Sequence, residues 1–164
     1  MKQRKRNRLK NYDYTNAGWY FVTICTQNRV RYFGKIENGK MILNDLGQIA
    51  NHAWLSIPTH YPDAELDEFI IMPNHIHGII IIDYNIVRDE NFRPQRPYKT
   101  NLSNIVKGFK IGIKKWSNNN YGHFKWQRSF YDRIIRNEKE LFNIRKYIRE
   151  NPLKWGCLLY TSPS

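Results

Sequence analysis

The chain of 164 residues carries 27 Lys and Arg against 14 Asp and Glu, a formal net charge of +13, with 41% hydrophobic and 15% aromatic residues. The hydrophobic share is ordinary for a folded chain and excludes wholesale disorder, and the length suits one compact domain with a single core. A positive excess of this size points to a polyanion as partner, nucleic acid ahead of an anionic membrane surface.

A membrane span is not expected, because the longest apolar run, Gly78 to Ile82, is far short of the roughly 20 residues needed to cross a bilayer. The N-terminal stretch MKQRKRNRLK is basic, but polar Asn11, Tyr12 and Asp13 stand where a secretory signal would have its apolar stretch. A cytoplasmic location is therefore expected. The two cysteines, Cys25 and Cys157, make no CxxC pair and no disulfide framework, consistent with a reducing compartment.

In chain order, residues 1–11 read as a flexible basic arm that can meet phosphates without folding. Tyr20 to Thr26, rich in aromatic and β-branched residues, predicts a first strand that ends at Gln27-Asn28-Arg29. Leu46, Ile49, Ala50, Ala53, Trp54 and Ile57 recur at helical spacing, with Asn44 or Asp45 as cap and Pro58 as stop. Leu66 to Met72 and Ile76 to Asp83 predict two strands joined by a tight antiparallel turn at Pro73-Asn74. The polar segment Tyr84 to Lys99, with Arg88, Arg93 and Arg96, is expected at the surface.

Leu102, Ile105, Val106, Phe109, Ile113 and Trp116 predict a second helix with a positive outer face, broken at Ser117 to Asn120. A short strand follows around Arg133 to Arg136. Leu141, Ile144 and Ile148 then define a last helix that reaches about Asn151 and is stopped by Pro152. The order β-α-β-β-α-β-α predicts an α+β fold, a ferredoxin-like antiparallel sheet with an additional C-terminal helix. Two helices would cover one sheet face and leave the other for a ligand. Residues 157–164 show no periodicity and look like adaptor or cloning sequence, so the domain is expected to span 12–156.

Three groups of residues can carry chemistry. His75 and His77 are two apart in a predicted strand, so both imidazoles emerge on one side while Ile76 turns inward. Such a pair can hold one divalent cation, although two strand-end histidines are also compatible with plain sheet-surface polarity. A catalytic ion needs a further protein ligand and open positions. Tyr147 and Asn151, four apart, would share a face of the last helix if it persists to Asn151. Asn151 could then offer its carbonyl oxygen to the ion, and Tyr147 could attack a phosphate. A phenol has an ordinary pKa of about 10, so nearby positive charge would have to favour the phenolate; as a packing residue Tyr147 would need no such help. Third, Lys107, Lys110, Lys114, Trp126, Arg128, Arg133 and Arg136 interleave cations with rings, the composition that tracks a phosphate backbone and stacks unpaired bases, or else a solvated face.

With these residues in place the chain resembles the REP-associated tyrosine transposases, relatives of the single-tyrosine HUH transposases. The resemblance runs from about residue 12 to 156. It is carried by Phe21-Val22-Thr23 with Asn28-Arg29, by Met72-Pro73-Asn74-His75-Ile76-His77, by Lys107-Gly108-Phe109-Lys110, by Trp126 to Asp132, and by Tyr147-Ile148-Arg149-Glu150-Asn151-Pro152. It implies that His75 and His77 are the metal pair, Asn151 the third ligand and Tyr147 the nucleophile, with Tyr131 as a lower-ranked rival. It further implies magnesium or manganese, single-stranded or hairpin DNA as substrate, and a 5′-phosphotyrosine intermediate. A homodimer is compatible with it, Tyr147 serving its own subunit's site or its partner's. Two alternatives remain open from the sequence: a noncatalytic module that binds single-stranded nucleic acid, and a HUH replication or mobilisation nickase.

Overall fold

The computed structural model describes residues 17–84 and 100–155. The basic arm at 1–11, the polar segment at 85–99 and the tail at 157–164 lie outside the described residues.

Gly18–Cys25 forms β1, in which Tyr20, Val22 and Ile24 are buried and the intervening residues face the other way. The strand pairs antiparallel with β5 (His75–Ile82) on one side and with β6 (Tyr131–Ile135) on the other, and β4 (Ala64–Ile71) pairs antiparallel with β5. The resulting four-stranded order is β4-β5-β1-β6. Together with the helices between the strands, this is the predicted split β-α-β-β-α-β arrangement.

Helix α1 (Asp45–Leu55) begins where Asn44 accepts a hydrogen bond from the Gly47 amide, so the cap is Asn44 rather than Asp45. Its buried Trp54 lies against Gly78 of β5. A Cβ built on Gly78 would stand 2.2 Å from the indole, so β5 can meet this helix there only as glycine. Trp54 also stacks on Phe69 at 5.8 Å and meets Phe109 edge-on at 5.4 Å. Helix α3 (Leu102–Asn120) buries Leu102, Ile105, Val106, Phe109 and Ile113 and packs beside α1 on this same side of the sheet.

Three elements differ from the sequence expectation. A β-hairpin, β2 (Gly34–Glu37) and β3 (Lys40–Leu43), is inserted before α1. Its turn residues Asn38 and Gly39 both have positive φ, 51° and 73°, the chemistry of a two-residue hairpin turn. Pro58 does not simply end the first helix; it sits in the first turn of a separate short helix, α2 (Ile57–His60), where a missing amide costs nothing. The Ser117 to Asn120 segment is no break. Ser117 is fully buried and its carbonyl accepts from both Tyr121 and Gly122, the latter at φ 75°, so α3 runs on to Asn120 and closes with a glycine C-terminal motif.

Helix α4 (Glu138–Glu150) is capped by Asn137 and lies on the sheet face opposite α1 and α3. A register shift in β4 between Leu66 and Phe69 sets Asp67 and Glu68 towards it. Asp67 takes a two-bond contact from Arg145 at 2.8 and 2.7 Å, and Arg149 lies 3.5 Å from Glu68. Ile148 is the helix's buried residue. The face expected to be open for a ligand is therefore partly roofed by the last helix. Among the described residues no helix is long and apolar enough to cross a membrane.

Candidate active site

On the face beneath α4 the register sets Cys25 opposite His75, Thr23 opposite His77 and Phe21 opposite Ile79. The two imidazoles lie 4.5 Å apart between ring centres. Ile76 between them is fully buried on the core side. The side-by-side placement expected from strand alternation is thus present.

Each imidazole is oriented by a neighbour. Asn74 Nδ2 donates to the Arg29 carbonyl at 3.3 Å, which leaves Oδ1 facing His75 Nδ1 at 2.6 Å. An amide oxygen can only accept, so His75 carries its proton on Nδ1 and its Nε2 lone pair is bare. His77 Nδ1 lies 2.8 Å from Thr23 Oγ1, and its ring stacks on Phe21 at 5.4 Å. Burial pushes the pKa of His75 down to about 4, with the Arg29 charge acting in the same direction against a contribution from Asn151. Burial likewise brings His77 down to about 3, helped by His75. Both rings are therefore neutral at neutral pH, the state a metal ligand requires.

Tyr147 approaches from α4. Its ring centre is 5.2 Å from that of His77 and 6.2 Å from that of Phe21, and the residue is 43% exposed. Asn151, one turn on, keeps a helical backbone (φ −56°, ψ −44°) in spite of the proline that follows, a conformation disfavoured before proline. Its Nδ2 donates to the Tyr147 carbonyl at 3.3 Å. Its Oδ1 is buried without a well-formed hydrogen bond, and the side chain interacts with the His75 ring beside it, favouring the imidazolium against the effect of burial. A buried carbonyl oxygen left without a well-formed hydrogen bond is costly, and here it lies beside the His75 ring. The donor set of His75, His77 and Asn151 fits a divalent cation on that observation. Among the described residues no group of three His, Cys, Asp or Glu could hold one, so an ion at this place depends on the amide.

The remaining candidates are dispersed. Lys110 donates to the carbonyls of Gln127 and Ser129 at 2.9 and 2.7 Å, Lys114 donates to that of Phe124, and burial lowers the pKa of Lys110. Trp126 donates to the Lys110 carbonyl and packs among Phe33, Phe109 and Phe124. These three side chains brace the segment leading into β6 from the far side of the sheet. Lys107 is exposed on α3, Arg128 is exposed ahead of β6, and Arg136 is exposed just after it. Arg133 shares the histidine face, opposite Phe21, and it also contacts Glu140 at 3.2 Å. Tyr131 lies on that face as well, opposite Thr23 on the side away from β5.

Sequence reasoning left out Asn74 and Thr23 as orienting groups, and Arg31 and Trp155 altogether. The first two were legible as neighbours of the histidine motif; a register was needed to see their contacts.

No family model matches the chain. A Haemophilus influenzae protein described only as uncharacterized is 41% identical over 161 residues, covering 93% of this chain and 89% of its own. A second protein of that organism, which carries the name REP-associated tyrosine transposase, is 30% identical over 155 residues, covering 90% of this chain and 78% of its own. A solved structure of a REP-associated tyrosine transposase bound to a REP hairpin shares the fold, with a TM-score of 0.64 at 21% identity over 91% of this chain and 74% of that one. Fold and relatives together define a transposase. The chain belongs to the family of REP-associated tyrosine transposases.

Proposed function

We propose that the chain is a metal-dependent transposase that cleaves and rejoins single-stranded, hairpin-flanked DNA through a covalent bond to Tyr147. His75, His77 and Asn151 would hold magnesium or manganese. The observation that carries this reading is the convergence of Tyr147, 5.2 Å from His77 between ring centres, with the orphaned oxygen of Asn151 one helical turn away. A cation there would polarise the scissile phosphate and favour the phenolate.

Tyr147 loses its phenolic proton, and its oxygen bonds to phosphorus as the bond to the 3′ oxygen breaks. The leaving oxygen takes a proton and becomes a free 3′-hydroxyl, while the 5′ side stays linked as a phosphotyrosine. Phosphoester energy is retained in that link, so a different 3′-hydroxyl can reverse the step and join strands without an external energy source. Thr23 and Asn74 hold the two imidazoles in place, which lowers the reorganisation needed on reaching the transition state. Arg133 offers positive charge on the same face. The hairpin in the solved relative supports hairpin DNA as the substrate class, and the closeness of Tyr147 to His77 within one chain supports attack in the same subunit.

The test is incubation with labelled hairpin-flanked single-stranded DNA and manganese, followed by denaturing electrophoresis. Wild type should give a protein–DNA adduct. Tyr147→Phe should give none while binding the hairpin nearly as well, and Tyr131→Phe should retain the adduct. An adduct of undiminished yield from Tyr147→Phe refutes the assignment.

A further inference from the structure

One guanidinium group and one indole stand beside His75, a second guanidinium lies over that indole, and none of the three belongs to the nucleophile or the ligand set. Arg29 and Arg31 lie on the segment after β1, both exposed. Among the described residues neither has a carboxylate partner. Asn28 and Arg29 hold φ of 54° and 53°, a left-handed backbone that is costly for residues with a side chain.

What holds that conformation is Thr26, fully buried, whose hydroxyl lies 2.7 Å from the Val30 carbonyl and 3.0 Å from that of Asn74. The bond from Asn74 Nδ2 to the Arg29 carbonyl closes the loop onto the histidine strand. The backbone that carries Arg29 is thereby kept at the site at the cost of strain, and among the described residues no carboxylate pairs with it.

The indole arrives from the other end of the chain. After α4 the backbone turns, with Lys154 N bonded to the Glu150 carbonyl at 3.2 Å and Trp155 N to that of Pro152 at 3.4 Å. Trp155 comes to lie nearly parallel to the His75 ring, 6.3 Å away at 27°, with the Arg31 guanidinium 5.2 Å from its centre. The indole is half-buried. Unpaired cations around an accessible ring are what a single strand needs, charge for its phosphates and a flat surface for a base.

We infer that Arg29, Arg31 and Trp155 form a subsite for one unpaired nucleotide of single-stranded DNA next to the scissile phosphate, Trp155 stacking on the base and the two guanidinium groups holding its flanking phosphates. This rests on the reading that DNA reaches His75 and His77.

The experiment measures fluorescence anisotropy of the full chain with labelled dT 12-mer, rU 12-mer and an abasic 12-mer of the same sugar–phosphate backbone, in EDTA. Trp155→Ala should weaken the dT 12-mer about 5-fold or more and leave the abasic strand within about 2-fold, with Trp155→Phe recovering most of the loss. Arg29→Gln combined with Arg31→Gln should weaken both DNA strands and reduce the slope of log affinity against log salt by roughly 1 to 1.5. Equal weakening of both strands by Trp155→Ala, an unchanged salt slope in the double variant, or tighter binding of rU than of dT would overturn the inference. These readouts require no adduct, so failure of the Tyr147 chemistry and failure of the subsite are separately visible.

Discussion

Thr23 Oγ1 and His77 Nδ1 lie 2.8 Å apart across β1 and β5, where the two residues are register partners. Only if the ring nitrogen donates to the hydroxyl is Nε2 of His77 left with a free lone pair, as His75 already has through Asn74. Thr23→Val removes the acceptor while keeping the shape. Manganese affinity, read by isothermal titration calorimetry, is expected to fall by about 10- to 100-fold, with the melting temperature of the metal-free protein changing little.

Asn151 tests the same site from the helix side. Asn151→Asp adds a charge to the orphaned oxygen position and should tighten manganese binding, because a carboxylate is the stronger hard ligand. Asn151→Leu should abolish it. Loss of manganese binding in both variants to the same extent would show that the residue acts only as a helix terminator.

Acid should destabilise the metal-free protein through the two histidines. Their folded pKa values, about 4 and 3, lie below the ordinary value of 6.5, so the unfolded chain binds more protons than the folded one in the window between. Stability therefore rises with pH from about 3 to 6.5 and is level above it, with a total on the order of a few kcal/mol. Denaturant unfolding at pH 4.5 and 7.5 checks this, and the double variant His75→Ala, His77→Ala should flatten the difference.

The Arg145–Asp67 contact should govern how firmly α4 is seated. The Arg145 guanidinium holds the Asp67 carboxyl below the usual carboxylate range. Both side chains are partly solvated, so Asp67→Asn is expected to cost about 1 kcal/mol. With one buried residue in the helix, that loss should appear as faster amide hydrogen exchange within 138–150 ahead of the sheet, and unchanged exchange there would remove the pair from this role.

Gly78 couples the fold to the site, since it follows His77 and faces Trp54. Gly78→Ala forces the indole or the strand to move and should destabilise by about 2 kcal/mol or more. Thermal unfolding and manganese affinity should decline together.

Local chemistry was enough to foresee the strand around Tyr20 to Thr26, the periodicity of α1 and α3, and the paired projection of His75 and His77, because alternation and helical spacing are properties of consecutive residues. The Asn38-Gly39 turn is equally local, but its hairpin falls outside the sequence expectation because the short flanking strands carry little periodicity. The Ser117 to Asn120 run misleads for a different reason: a polar run resembles a loop until burial of Ser117 and the glycine at 122 let the helix continue.

The order of the four sheet strands and of α1, α3 and α4 was written in the chain's pattern of apolar residues, and the candidate metal pair in the two-residue spacing of His75 and His77. Which lysines brace a loop and which arginines stand exposed beside the histidines was decided by tertiary structure alone, because Lys110 and Arg29 differ in their neighbours rather than in their charge. The same holds for Trp126 and Trp155, one enclosed by aromatic rings and the other laid beside His75. Sequence spacing can place a side chain on a face, but only the packing of distant segments determines whether that face meets the core, a carbonyl or open solvent.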